Sequence, residues 1–344
     1  MNWARRFAFA VAAVAAAAFA GSVFAAEKTS GEVVVYTSVD EIPAQKVLDE
    51  FEKETGIKVK PLYDTEATKT TGLAVRLASE MSRPQADVFW NNELSQTHVL
   101  AKKGAFAPYA SPSAADIPDK WKDPGGLWAS TAMRARIIVY NSELVSPGEA
   151  PRKLTDLLAP KWKGKVGVSD PRFGTMASHT AALAIAWGRE KALDYFRKLE
   201  ANGVKVYAGN SVVRDAAASG EILVGLTDTD DVLLGQQNGM KIGMSAPDQE
   251  EGGLGTLVFA DAVSLVAGAP HEREGKRLVD YLLSREVERR FADPKEGWIA
   301  IRETFPGNET MKALSAIKPM EVDWEKTSAL TAPVSAEVGK VLIK

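Results

Sequence analysis

Hydrophobic positions along this chain switch between two periods. Short apolar, β-branched runs at residues 32–38, 57–62 and 86–90 predict buried strands. Stretches with apolar residues at helical spacing, 43–55 and 70–81, lie between them and predict helices. Gly56 closes the first helix, as glycine commonly does. From about residue 105 the pattern loosens into a Pro- and Ser-containing stretch, after which 136–141 forms a strong strand. The alternation then resumes, with strands at 164–168, 204–207 and 222–226 and helices at 175–187, 191–202 and 212–219. A second long β-branched run, 256–266, follows Gly252 and Gly253, and helical patterns at 272–291 and in the tail end the chain.

Strands alternating with helices predict an α/β fold with parallel sheets and crossover helices. The two strong strands at 136–141 and 256–266 bracket the second set of elements, which predicts two α/β lobes joined by two hinge crossings. The first lobe is expected to comprise 26–135 and 261–300, the second 136–260, with 301–344 a helical segment packed on the lobes. Ligands in such sheets lie at the carboxyl ends of the strands, so the polar residues just after each strand carry the chemical interest.

The first residues add a compartment. Arg5 and Arg6 precede an apolar stretch at 7–19 that ends in Gly21 and Ser22, and Val23, Phe24 and Ala25 suit a signal peptidase. Residues 1–25 are therefore expected to be a signal peptide that delivers the chain to the periplasm, with cleavage after Ala25 or Ala26 and no stable membrane insertion. The chain has no cysteine, which excludes disulfides, thiolate ligands and a lipid-accepting thiol. Removal of the leader takes two arginines and no acids, moving the formal charge from -3 to -5. A mildly acidic chain without a basic stripe is not expected to bind nucleic acid.

Three groups of residues stand where ligands bind in such sheets. Ser38 and Asp40 follow the first strand, and Asn92 and Glu93 follow the third. Asp228, Asp230 and Asp231, three carboxylates in four residues, follow the strand at 222–226. Each aspartate has an alternative use as a helix N-cap. The cluster is not an EF-hand loop, because it runs into Val232, Leu233 and Leu234 with no glycine at the sixth position. Arg134 and Arg136, at the first crossing, are placed either to clamp an anion or to pair with a nearby acid. Glu66 and Lys69, between a strand and a helix, are further cleft candidates. His98, His179 and His271 are scattered without metal-ligand spacing, and neither a Gly-x-Ser-x-Gly elbow nor a Walker loop occurs. The only enzyme these residues suggest is a metal-dependent phosphatase built on the aspartates, and the reading preferred is a binding protein, not an enzyme.

Six segments occur in an order that resembles a known family. They are Val35-Tyr36-Thr37-Ser38, the run from Phe51 to Val59, Ala86 to Trp90, Pro160 to Gly167, Asn210 to Arg214, and Leu278 to Ser284. Together they are similar to family 1 extracellular solute-binding proteins, in the ferric-ion-binding branch. The resemblance implies a type II periplasmic binding protein fold, the Venus flytrap, with a monomeric chain serving an ABC transporter permease. Ferric members typically hold the ion through adjacent tyrosines, with a histidine and a glutamate often added. Counted along the matching strands, the tyrosine pair falls on Asp230 and Asp231 and the histidine on Asp40. Those members also hold an accessory anion on helix N-termini. Here Gly174, Thr175 and Ser178, and then Asn210 and Ser211, open two helices and supply such a cradle.

Two ligands satisfy this combination of anion donors and carboxylates. One is a phosphate ester or a zwitterion such as an aminoalkylphosphonate. The other is ferric iron or another metal with a synergistic anion, held by Asp40, Asp230 and Asp231. No cofactor is expected beyond the transported ligand itself.

Overall fold

The computed structural model describes residues 31–64, 71–293, 297–302, 313–314 and 316–343. The signal-peptide expectation, Glu66 and Lys69 lie outside them. The first lobe opens with β1 (Gly31–Thr37), α1 (Glu41–Thr55), β2 (Ile57–Tyr63), α2 (Gly72–Ser79), β3 (Val88–Asn91) and α3 (Leu94–Lys102). β1 pairs in parallel with both β2 and β3, as crossover helices require. Gly56 adopts φ 76° and its N–H bonds the Glu52 carbonyl, so the helix stop read from the sequence has a left-handed backbone behind it.

β4 (Ala129–Asn141) is longer than the periodicity indicated and changes partners part-way. Up to Ala135 it pairs with β9 (Val258–Leu265); from Arg136 to Tyr140 it pairs with β7 (Val224–Asp228), and β8 (Ile242–Ser245) takes its other edge. The second half of the fold adds β5 (Val166–Ser169), α4 (Gly174–Trp187), α5 (Arg189–Ala201), β6 (Lys205–Tyr207), α6 (Asn210–Ala218) and α7 (Thr229–Gln237). The strand order is β2-β1-β3-β9-β4-β7-β5-β6, with β8 on β4. β9 and β4 are thus the central pair, and the parallel strands fan out on either side.

Each half buries its own apolar cluster. One is built on Val33, Leu48, Phe51, Trp90 and Phe291, the other on Ile138, Val168, Leu183, Phe196 and Leu226. The helical pattern at 272–291 is two helices, α8 (Glu272–Leu282) and α9 (Arg285–Phe291), because Ser284 breaks the run and caps the second by accepting from Val287 N. The tail helix, α10 (Trp324–Leu342), packs on both α3 and α4 and so touches both halves. Among the described residues no helix is long and apolar enough to cross a membrane.

Candidate ligand cleft

The carboxyl ends of β5 and β7 and the starts of α4, α6 and α7 converge on a small cavity of about 40 Å³ that opens to solvent. Asp40 and Asn92 reach it from the first lobe, and Thr175, Asn210, Ser211, Asp228, Asp230 and Asp231 from the second. Ser38, Glu93 and Ser178 do not line it. The hydroxyl of Ser38 is spent on the amide oxygens of Asn91 and Asn92, at 2.5 and 3.0 Å, and clips that loop together. Glu93 caps α3, accepting from the backbone N–H of Ser95 at 2.8 Å and of Gln96 at 3.1 Å. Ser178, on α4, donates to the same Glu93 carboxylate at 2.8 Å, a contact that runs from one half of the fold to the other.

β4 supplies two arginines two positions apart, which leave the strand on the same face. Arg136 is wholly buried beneath the cavity. Its Nη1 donates to Asp228 Oδ1 at 2.8 Å, Asn210 Oδ1 at 2.7 Å and Thr175 Oγ1 at 3.2 Å, and its Nη2 to Ser169 Oγ at 3.2 Å. The other Asp228 oxygen accepts from Thr175 Oγ1 at 2.8 Å and Asn210 Nδ2 at 2.7 Å. Asp228 is therefore a fully satisfied buried carboxylate that locks Thr175 and Asn210 in place. Of the side-chain donors expected to cradle an anion, Thr175 and Asn210 are directed at Asp228 and Ser178 at Glu93, which leaves Ser211 and the backbone donors facing the cavity.

Those donors belong to helix N-termini that no side chain caps. α4 begins after Phe173 and α6 after Gly209, neither cap residue offers a side-chain acceptor, and Gly174, Thr175, Gly209, Asn210 and Ser211 all border the cavity. First-turn N–H groups without an intrahelical partner, at the positive ends of two helices, have the chemistry to hold an anion. Gly174 takes φ 56°, a backbone conformation that a side chain disfavours, so the entry into α4 depends on glycine there.

Arg134 crosses the opposite wall. Its guanidinium donates to Asp230 Oδ2 at 3.0 Å and to the Asn92 carbonyl at 2.5 Å, lies 3.5 Å from Asp261, and stacks over Phe259 and Trp298 with centroids at 4.8 and 4.6 Å. Burial acts to lower its pKa, but the carboxylates of Asp230, Asp261, Asp228 and Asp40 outweigh that and hold the guanidinium above its ordinary value. Asp230 is pulled both ways. Burial pushes its pKa up, Arg134 draws it down, and Asp228 and Asp40 push it up again, with a net rise. Its Oδ1 is buried and has no hydrogen-bond partner among the described residues. Gly297 packs against the start of α7, where a Cβ would stand 2.7 Å from the Asp230 Cα, so this approach also requires glycine. Asp231 accepts from Thr227 Oγ1 at 2.9 Å and faces Arg214 at 3.8 Å.

Asp228, Asp230 and Asp231 can each present an oxygen within 4.8 Å of the others, as a metal site would need. The donor chemistry fits a metal poorly. Asp228 has no oxygen to spare, and the Arg134 charge stands 3.0 Å from Asp230, where its repulsion grows with the charge of the incoming group and so weighs most against a di- or trivalent ion. Sequence reasoning passed over Ser169, Asp170 and Phe173, which also border the cavity. The strand expected at 164–168 continues to Ser169, and that one-residue extension carries the carboxyl-end signal to the missed residues.

The architecture and the cleft define a two-lobed type II binding protein. Residues 84–327 match the model of the bacterial extracellular solute-binding protein family, and the chain belongs to that family. A periplasmic protein of Salmonella typhimurium, described as binding 2-aminoethylphosphonate, is 28% identical over 301 residues, 85% of each chain. Among solved structures, iron-bound HitA from Pseudomonas aeruginosa superposes with TM-score 0.80 at 22% identity, covering 90% of this chain and 99% of HitA. The periplasmic binding protein AfuA from Actinobacillus pleuropneumoniae, with fructose-6-phosphate bound, superposes with TM-score 0.76 at 25% identity, covering 91% and 96%.

Proposed function

We propose that this chain is the periplasmic substrate-binding component of an ABC importer, and that it captures a small zwitterionic phosphonate or phosphate ester by closure of the two lobes. The observation that carries this reading is the polarity of the cavity. Two uncapped helix N-termini face it from one side, and Asp40 and Asp230 face it from the other. A phosphonate headgroup suits the backbone N–H groups, while an ammonium or hydroxyl group offers a donor to the carboxylates of Asp40 and Asp230. Nothing in the arrangement requires chemistry on the ligand, so turnover is not part of the proposal. The relative named for 2-aminoethylphosphonate and the neighbour that holds a sugar phosphate both support a phosphorus oxyanion. The iron-bound neighbour makes ferric iron the competing ligand.

Thermal unfolding of the mature protein, titrated with 2-aminoethylphosphonate, fructose-6-phosphate, and Fe(III) with and without phosphate, tests the proposal. A ligand at a hundred times its Kd stabilises the native state by about 2.7 kcal/mol, which raises Tm by roughly 4 °C in a chain of this size. The organic ligands are expected to give that rise and Fe(III) alone none. A rise with Fe(III) and none with either organic ligand overturns the reading. Asp230→Asn is expected to weaken binding of the ammonium-bearing ligand at least tenfold while leaving Tm of the free protein within a few degrees.

A further inference from the structure

Ser178, expected at the ligand, stands instead against the other half of the fold. Its hydroxyl, one turn into α4, donates to Glu93 Oε2 at 2.8 Å and lies 2.5 Å from the hydroxyl of Ser95 at the start of α3. The same Glu93 oxygen accepts from the Ser95 N–H at 2.8 Å and from the Ser95 hydroxyl. Glu93 and Ser95 are 1% exposed and Ser178 is 2% exposed, and none of the three borders the ligand cavity.

Proton counting assigns the roles. Ser95 and Ser178 each carry one hydroxyl proton, and the Glu93 carboxylate carries none. Whichever of the two oxygens accepts it, the Ser178 proton goes to a group on the α3 side, so the second lobe contributes the donor and the first lobe the charge. A hydrogen bond to an ionised acceptor, out of water, is stronger than one between neutral groups. Without Ser178, Glu93 keeps its bonds from the N–H groups of Ser95 and Gln96, so nothing on α3 is left stranded. The chemistry of this contact also suits parting. Apolar side chains at such a boundary would expose hydrophobic surface whenever the lobes separate. Hydroxyls and a carboxylate exchange their partners for water at small net cost.

We propose that Ser178 is a positioning residue for ligand capture, which with Glu93 forms a reversible latch that sets the balance between open and closed lobes without touching the ligand. The assignment rests on lobe closure as the mode of capture, and not on which ligand the cleft takes. While the empty protein is mostly open, a latch that favours the closed form by some factor raises the affinity for a ligand held in that form by the same factor.

Single-molecule energy transfer in the whole mature protein reads the two forms. Dyes are placed on Lys53→Cys, exposed on α1, and Arg197→Cys, exposed on α5, and the absence of native cysteine keeps the labelling specific. In the ligand-free protein, Ser178→Ala is expected to lower the closed-to-open ratio about tenfold. Its Tm is expected to stay within a few degrees, because alanine suits a helix interior. Ser178→Thr keeps the hydroxyl and is expected to stay near the wild-type ratio. Titration with 2-aminoethylphosphonate is expected to show the same tenfold loss of affinity in Ser178→Ala, carried by faster release. An unchanged ratio in Ser178→Ala overturns the latch. So does a fall that Ser178→Thr shares, since the loss then follows the shape of the site and not its hydroxyl. A ratio that shifts as expected while 2-aminoethylphosphonate binds neither protein upholds the latch and removes only the ligand assignment. Equal affinity of both proteins for 2-aminoethylphosphonate overturns the latch and leaves the ligand assignment standing.

Discussion

Two buried side chains beneath the cleft fix its geometry. Arg136 and Asp228 share no solvent and hold Thr175, Asn210 and Ser169 in one network. Removing only the arginine, as in Arg136→Met, strands a buried carboxylate and is expected to cost about 3–5 kcal/mol in denaturant unfolding. Arg136→Met combined with Asp228→Leu is expected to recover most of that stability but not ligand affinity, because Thr175 and Asn210 lose the partner that positions them. His179, buried on α4, adds a pH dependence. Burial first, and then the Arg136 charge, pushes its pKa down to about 3 from 6.5. Between those values the unfolded chain binds the extra proton. The stability is therefore complete above about pH 6.5 and falls as the pH drops toward 3, by about 1.4 kcal/mol per unit. Urea unfolding at pH 7 and pH 5 should show about 2 kcal/mol of loss that His179→Leu lacks. From the sequence, the strand-end aspartates were legible as a group, but their division of labour was not. Asp228 is claimed by an arginine ninety-two positions earlier, and no local pattern reveals a pairing that the sheet register makes. The available hint was the pair Arg134 and Arg136 within an otherwise apolar strand, where a charge survives only beside a partner.

At the scale of elements, helix caps separate the cleft from its supports. Asp40 and Asp228 occupy N-cap positions, yet neither side chain caps its helix; Glu93, expected to face the ligand, caps α3 instead. An acidic residue after a strand suits either use, and the sequence signal is the same for both. What decides is whether the loop turns the side chain back over its own helix, and the clip from Ser38 to Asn91 and Asn92 does so for Glu93. Glu93→Ala is accordingly expected to lower stability by about 1–2 kcal/mol through the lost cap, read as a fall in Tm, with the cleft carboxylates untouched. The strands and longer helices were legible because their apolar periods are strong. α3 and β8 were not, α3 because its nine residues carry a mixed face with Ser95, Thr97 and His98 among them, and β8 because it is four residues on the edge of β4.

Across the whole molecule, closure depends on how the two halves touch near the crossing strands. β4 passes from one half to the other at Arg136, α10 packs on α3 and α4 together, and Glu93, Ser95 and Ser178 bond across the gap. These contacts belong to the closed arrangement if the lobes swing about β4 and β9, as hinged binding proteins do. The hydroxyls of Ser95 and Ser178 stand 2.5 Å apart, so cysteines at these positions bring two sulfur atoms within bonding reach. Because the chain has no cysteine of its own, Ser95→Cys with Ser178→Cys forms a single defined bridge. The oxidised double variant is expected to keep its Tm, to release pre-bound ligand at least ten-fold more slowly than the reduced form, and to fail to take up ligand when oxidised empty. Stopped-flow release and uptake, with and without reductant, measure both. Equal exchange rates in the oxidised and reduced protein would place the moving boundary elsewhere than between α3 and α4.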